Sequence, residues 1–392
     1  MNSSNFLYSD NNFFLNSPQS LLKNDSIYTG NQPDDFGLAG YIANGNKVLV
    51  LGLGFGSAIR AVLSTLPEAE ITVVDINPNI IRACKGIYEY LFPNINIEYI
   101  NGDDRDIKTI VKGKFDLICV DIYTEDGCPE FMCGANFWLE IKSILNEKGI
   151  MITNTWGLPT HLNPLDGELH QNFILKNLFS IFQSNYLLPF RRNITVISSE
   201  EKQLSIKKPN IPVVSNEDKI IITYLKYKLL SVKRITNEYL KNEIENNNLK
   251  HSSVDKEMEV RHLHWIHSYS KLINELSKIN VEKQNLSNLI KNELVAKKLT
   301  IKLLEQNSYS IDIVPNFMGS LAFENDNEIA WYLDWIIHDY KKLFELNKYW
   351  FVNVALCQFF SIISNPFYNM ENKYTNEIQG IFNFLENNLE LN

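Results

Sequence analysis

The sequence has little that would support disulfide or metal architecture. Its five cysteines, Cys84, Cys119, Cys128, Cys133 and Cys357, are odd in number and include no CxxC pair. That excludes a disulfide framework and indicates a reducing compartment. Cys128 and Cys133 have no second pair to complete a zinc site, so no metal is expected. No stretch reaches ~18 uncharged apolar residues, which excludes a membrane-spanning helix. The opening "MNSSNFLYSDNNFF" lacks a charged region followed by an apolar run, so no secretory leader is read there and the expected location is the cytoplasm. Positive charge is also short. Lys and Arg number 37 against 46 Asp and Glu, a net charge of −9. Few phosphates can be neutralised by such a chain, which excludes nucleic acid as a non-specific partner and suits a cationic ligand.

What is present is enough apolar sequence to fold. Hydrophobic residues make up 45% of 392 and charged residues 21%, the balance of a globular chain with a sizeable core. Residues 1–45, rich in Asn, Ser and Asp, read as an irregular lead-in. From Lys47, strand-like runs at 47–52, 70–75, 96–100, 115–121 and 148–154 alternate with helical patterns at 56–66, 77–91 and 134–146. Alternation at this spacing predicts an α/β fold, a doubly wound, mostly parallel Rossmann-like sheet over 46–200. "NYLLPFRRNITVISS" predicts a closing antiparallel hairpin around Arg191, Arg192 and Asn193. Residues 201–216, charged and carrying Pro209 and Pro212, read as a linker. Beyond them, helical periodicity at 217–247, 255–277, 283–305, 326–346, 349–363 and 372–389 predicts an all-helical region over 217–392.

The stretch "VLVLGLGFGSAIRAVLSTL", beginning at Val48, reads as buried strand, glycine turn and helix. Gly52, Gly54 and Gly56 let the backbone turn sharply and approach a ligand. A dinucleotide fingerprint needs Gly at 57, where Ser stands, and a P-loop needs GK[ST], which is absent. The next strand ends supply acids. Asp75 closes "ITVVD", 23 residues after Gly52, where a carboxylate can accept both ribose hydroxyls or cap the following helix. Asp103 follows the third strand in "NGDDRD", where it can hold an adenine amino group or serve a turn. Asp121 ends the fourth in "FDLICVDIYTEDG". Ligands bind outside the carboxyl ends of such strands, so one crevice collects Gly, Asp, Asp and Asp. S-adenosylmethionine (SAM) is the nucleoside that suits them.

These residues resemble the nucleotide-binding domain of spermidine synthases and their methyltransferase relatives. The resemblance covers residues ~35–200 and rests on "LGLGFGS", "VVDIN", "NGDD" and "VDIYTEDGCPEFM". It implies that Gly52, Gly54 and Gly56 line the methionine and ribose portions, and that Asp75 binds the ribose. Asp103, with Asp104 as the neighbouring alternative, would face the adenine. Asp121 would be the catalytic acid beside the reacting amine.

Chemistry at such a site is mostly alignment of a nucleophile with an electrophilic carbon of the sulfonium. Asp121 would hold and orient an amine and accept a proton. Glu125, Asp126 and Glu130 would draw a cationic acceptor, and Tyr123 and Trp156 would line its pocket. Phe55 offers no negative partner to the ammonium of decarboxylated SAM, which favours ordinary SAM. The leading expectation is methyl transfer to an amine or similar small-molecule or peptide acceptor. The alternatives are aminopropyl transfer in polyamine metabolism from decarboxylated SAM, transfer of the 3-amino-3-carboxypropyl group, and a non-catalytic scaffold. In the helical region His262, His264 and His267 form no HExxH frame and read as a solvated face, while Trp331, Trp335 and Ile336 read as helix packing. Asp334 and Asp339 would meet an acceptor if that helix covered the crevice. Dimerisation, a lid or binding of a larger peptide acceptor are open roles for this half.

Overall fold

The computed structural model describes residues 6–9, 20–23, 32–91, 94–124, 128–156, 166–190, 193–211, 216–235, 326–363 and 374–389. The helices expected at 255–277 and 283–305, with the three histidines, lie outside these residues, as do Glu125 and Asp126.

A short hairpin, β1 (Phe6–Ser9) against β2 (Ser20–Lys23), stands apart from the main sheet. A 3-10 helix (Gln32–Leu38) runs into α1 (Ala39–Ile42). The alternating segment then gives β3 (Lys47–Leu51), α2 (Ser57–Thr65), β4 (Glu70–Asp75), α3 (Pro78–Leu91), β5 (Ile97–Asn101), α4 (Ile107–Ile110), β6 (Phe115–Val120), α5 (Ala135–Ser143), β7 (Leu145–Trp156) and α6 (Asp166–Ile181). Strands β8 (Ser184–Phe190) and β9 (Asn193–Ser199) form the expected antiparallel hairpin. The sheet order is β10-β8-β9-β7-β6-β3-β4-β5. Strands β3 to β7 are mutually parallel. From β3 the chain winds outward through β4 and β5, then returns to place β6 on the other side of β3. That reversal opens a crevice at the carboxyl ends of β3 and β6.

Continuous apolar strands are what a sheet covered on both faces requires. In "KVLVL", Val48 and Val50 enter one apolar cluster while Leu49 and Leu51 enter the other. The second cluster is closed by α4, α5 and α6 through Ile107, Trp138, Ile141 and Leu178. The first receives α1 and α2, and also the C-terminal helices α7 (Asn216–Ser231), α8 (Asp326–Leu346), α10 (Leu356–Ile363) and α11 (Thr375–Asn388). A short α9 (Lys348–Trp350) and one π-helical stretch, Phe351–Ala355, lead into α10.

The helical region read from residue 217 onward thus shares its apolar cluster with the sheet. One departure is local. The helix expected over 217–247 ends at Ser231, and Lys233–Ile235 forms β10, antiparallel to β8. The otherwise open edge of β8 supplies ladder partners that local periodicity does not reveal, and Arg234 Nε donates to Ser184 Oγ at 3.1 Å.

Polar groups pin the C-terminal helices to α1 and to the sheet. Tyr41 Oη donates to Ile222 O at 2.8 Å and Tyr349 Oη to Leu187 O at 2.9 Å. Deeper still, the Lys228 ammonium on α7 pairs with Asp35 of the 3-10 helix, and their side chains are 2% and 3% exposed. Asp35 Oδ2 accepts from Thr195 Oγ1 on β9 at 2.8 Å, and Thr195 accepts from Gln32 Nε2 at 2.9 Å. Burial alone would lower the Lys228 pKa. The charge and hydrogen bond of Asp35, together with Cys357 and Asp34, overcome it and the net shift is upward, so Lys228 stays charged. Removing one partner strands a buried charge. Lys228→Met should therefore lower unfolding stability by about 3–5 kcal/mol in urea titrations, and adding Asp35→Leu should restore much of that loss.

Candidate functional site

The glycine turn is built by backbone contact. Gly52, Gly54 and Gly56 have φ of 80°, 50° and 78°. A Cβ at Gly52 would lie 2.3 Å from the carbonyl oxygen of Asp121, and one at Gly56 would lie 2.6 Å from the Tyr88 ring. Side chains at either place would force apart the ends of β3 and β6, or the turn and α3. Tyr88 Oη closes the turn by donating to Gly56 O at 2.5 Å, and Gly56 begins α2 with no side-chain cap. Phe55 sits half-buried in the turn.

Asp75 is 9% exposed and splints this turn to the next helix. Its Oδ2 accepts from Leu53 N at 2.9 Å and its Oδ1 from Asn77 N at 2.7 Å. The cap of α3 is Asn77, whose Oδ1 accepts from Asn79 N at 2.9 Å, with Pro78 following. A carboxylate has about four acceptor positions, so Asp75 retains capacity for hydroxyl donors. Ile76, next along, is 63% exposed.

The two acids after β5 differ. Asp103 is committed to Arg105, accepting from its Nε at 2.9 Å and its Nη2 at 2.5 Å, and these bonds hold its pKa below the usual range. Asp104 turns inward. It is 6% exposed and its Oδ1 has no hydrogen-bond partner. Burial, then the nearby charges of Asp75 and Asp103, push its carboxyl up to about 7.

Asp121 follows β6 and lies across from Asn154 on β7. Its Oδ1 accepts from Asn154 Nδ2 at 2.9 Å, and Asn154 Oδ1 accepts from Asn193 Nδ2 at 2.9 Å. Burial pushes the Asp121 carboxyl up to about 6, against the lowering effect of Asn154. The Tyr123 hydroxyl is enclosed beside Asn193 and Cys128, and burial raises its pKa. Trp156 ends β7 opposite Asn193, and Glu130 is exposed at the start of a 3-10 turn.

The structure thus brings Gly52, Gly54, Gly56, Asp75 and Asp121 around the carboxyl ends of β3, β4 and β6, with Asp104 close enough to be charged against Asp75. Asn154, Asn193, Tyr88 and Ile76 were not singled out from sequence. An Asn in a strand carries no motif, and only its register reveals its partner. Asp334 is paired with His338 at 3.1 Å on the exposed face of α8, and both side chains are more than two-thirds exposed.

Asp104 allows a direct test. A carboxyl whose folded pKa lies above its unfolded value of about 4 stabilises the fold below that pH, and the contribution is lost as pH rises through about 7. Asp104→Asn removes the loss. Relative to the unsubstituted protein, the variant should gain on the order of 2–4 kcal/mol between pH 4 and pH 8 in urea unfolding.

Residues 37–188 match the family model of the spermine/spermidine synthase domain. The polyamine aminopropyltransferase of Neisseria meningitidis is 27% identical over 163 residues, covering 40% of this chain and 59% of the relative. That of Clostridium kluyveri is 32% identical over 146 residues, covering 35% of this chain and 52% of the relative. The chain therefore spans only about half to three-fifths of the length of these relatives. Among solved structures, spermidine synthase from Thermotoga maritima is similar at 18% identity with a TM-score of 0.35, covering 47% of this chain and 63% of that one. Among the described residues no helix is long and apolar enough to cross a membrane. Over residues 37–188 the chain is similar to the spermine/spermidine synthase domain, carried here on a Rossmann-like, mostly parallel sheet.

Proposed function

We infer that the protein transfers an aminopropyl group from decarboxylated SAM to a polyamine-like acceptor. The observation that carries this reading is Asp121, a half-buried carboxylate at the switch-point crevice of a domain matching the spermine/spermidine synthase family. The names of the relatives point the same way, and they move the weight from methyl transfer to the aminopropyl alternative.

The residues suit the donor. The turn at Gly52–Gly56 leaves backbone where any Cβ would intrude, Asp75 has acceptor capacity for a ribose, and the orphaned Asp104 oxygen calls for a donor such as an exocyclic amine. Asp103 borders that place and Ile76 gives it an exposed apolar neighbour. When bound, the donor supplies a carbon activated by its sulfonium. Asp121 holds the acceptor's ammonium beside it, orients the nitrogen and receives the proton that the amine must lose. Tyr123 borders the acceptor's side of the crevice, and the acidic sequence that follows it, with the net charge of −9, favours a cation.

Methyl transfer from ordinary SAM is the second reading, and a specific feature favours it. Phe55 brings no negative charge into the glycine turn, and the uncapped start of α2 at Gly56 suits a carboxylate. The two are separated by mass spectrometry of an α,ω-diamine incubated with each donor. Aminopropylation by decarboxylated SAM supports the main reading, methylation by SAM the second, and reaction with neither overturns both. Asp121→Asn should lower kcat about 100-fold or more while the donor's Kd changes little. Because Asp121 works ionised, kcat/KM should rise through about pH 6.

A further inference from the structure

Asp121 does not set its own orientation. The last register pair between β6 and β7 is Val120 with Thr153, so Asp121 and Asn154 face each other one step beyond it. Asn154 is 4% exposed and donates to Oδ1 alone. An ionised carboxylate only accepts, so the amide must present its NH2 to Asp121. Its carbonyl oxygen is then turned toward β9, where the Asn193 amide donates to it. Asn193 is the first residue of β9, opposite Trp156, and its side chain reaches Asn154 diagonally across the β7–β9 pair. The three groups form a chain of donors with one direction, from the hairpin tip to the acid.

We propose that Asn154 is a positioning residue for Asp121, held in turn by Asn193, and that by occupying Oδ1 it leaves Oδ2 as the atom that meets the acceptor amine. The assignment rests on the reading of Asp121 given above. It gives the amide pair a role in specificity, because the acceptor nitrogen must approach from the side Oδ2 faces, and its proton moves to Oδ2 rather than to the oxygen already engaged. It also makes the antiparallel hairpin part of the site, although Asn193 comes 72 positions after Asp121 in sequence.

The test separates this link from the activity. In protein labelled with 13C at aspartate, the Asp121 Cγ resonance is identified by its loss in Asp121→Asn, and its titration midpoint is measured without ligand. Asn154→Leu removes the donor at similar volume and should raise the midpoint by about one pH unit. Asn193→Leu should raise it less, and Asn154→Ser, which restores a donor, should recover part of the shift. In turnover assays Asn154→Leu should lower kcat about 10-fold to 100-fold, with donor KM unchanged and the acidic limb moved upward. An unmoved midpoint in folded Asn154→Leu protein overturns the proposal. Should the unsubstituted protein transfer nothing, the functional reading fails, while the midpoint still decides whether Asn154 governs Asp121.

Discussion

The site depends on one close approach, the backbone of Gly52 against the carbonyl of Asp121. A Cβ at residue 52 would lie 2.3 Å from that oxygen, so the ends of β3 and β6 can lie side by side only where the side chain is hydrogen. The crevice exists because the winding reverses between these two strands. The contact sets its width and fixes the height at which Asp121 leaves the sheet. Asp75 secures the other wall, holding the glycine turn through Leu53 N and the start of α3 through Asn77 N.

Three acids leave the carboxyl ends of β4, β5 and β6, and their surroundings give them different chemistry. Asp75 is committed on both oxygens to backbone N–H groups. Asp104 is buried with an unpartnered oxygen and is pushed up to about 7, so it is partly protonated at neutral pH. Asp121, with one amide donor, is pushed up to only about 6 and is mostly ionised there. Burial raises the carboxyls of Asp104 and Asp121, and the Asn154 amide holds Asp121 the lower of the two.

The C-terminal helices are joined to this arrangement through the far side of the sheet. Lys228 on α7 pairs with Asp35, Asp35 accepts from Thr195 on β9, and Tyr349 reaches Leu187 on β8. Both strands of the hairpin that delivers Asn193 are thus held by groups from outside the parallel sheet. Among the described residues, the helical half is tied to the hairpin that carries Asn193.

Much of this was legible in the sequence. Both-face burial demands unbroken apolar strands, so "KVLVL", "EITVVD" and "FDLICV" announced a parallel sheet, and strand ends announced Asp75 and Asp121. Asn77 before Pro78 is a local capping signal, and a three-glycine turn has a local steric cause. Transfer chemistry was read from the same residues, but the choice among transferable groups was not, since methyl and aminopropyl donors share the nucleoside that these strand ends would hold. Tertiary structure alone decided what depends on register and on distant partners. It turned Asp104 inward while Arg105 took Asp103, added Lys233–Ile235 to the sheet edge, and paired Lys228 with Asp35 across 193 positions. It also set Asn154 opposite Asp121. Propensity and periodicity act over a few residues, whereas a hydrogen bond between neighbouring strands is fixed by how the sheet is wound.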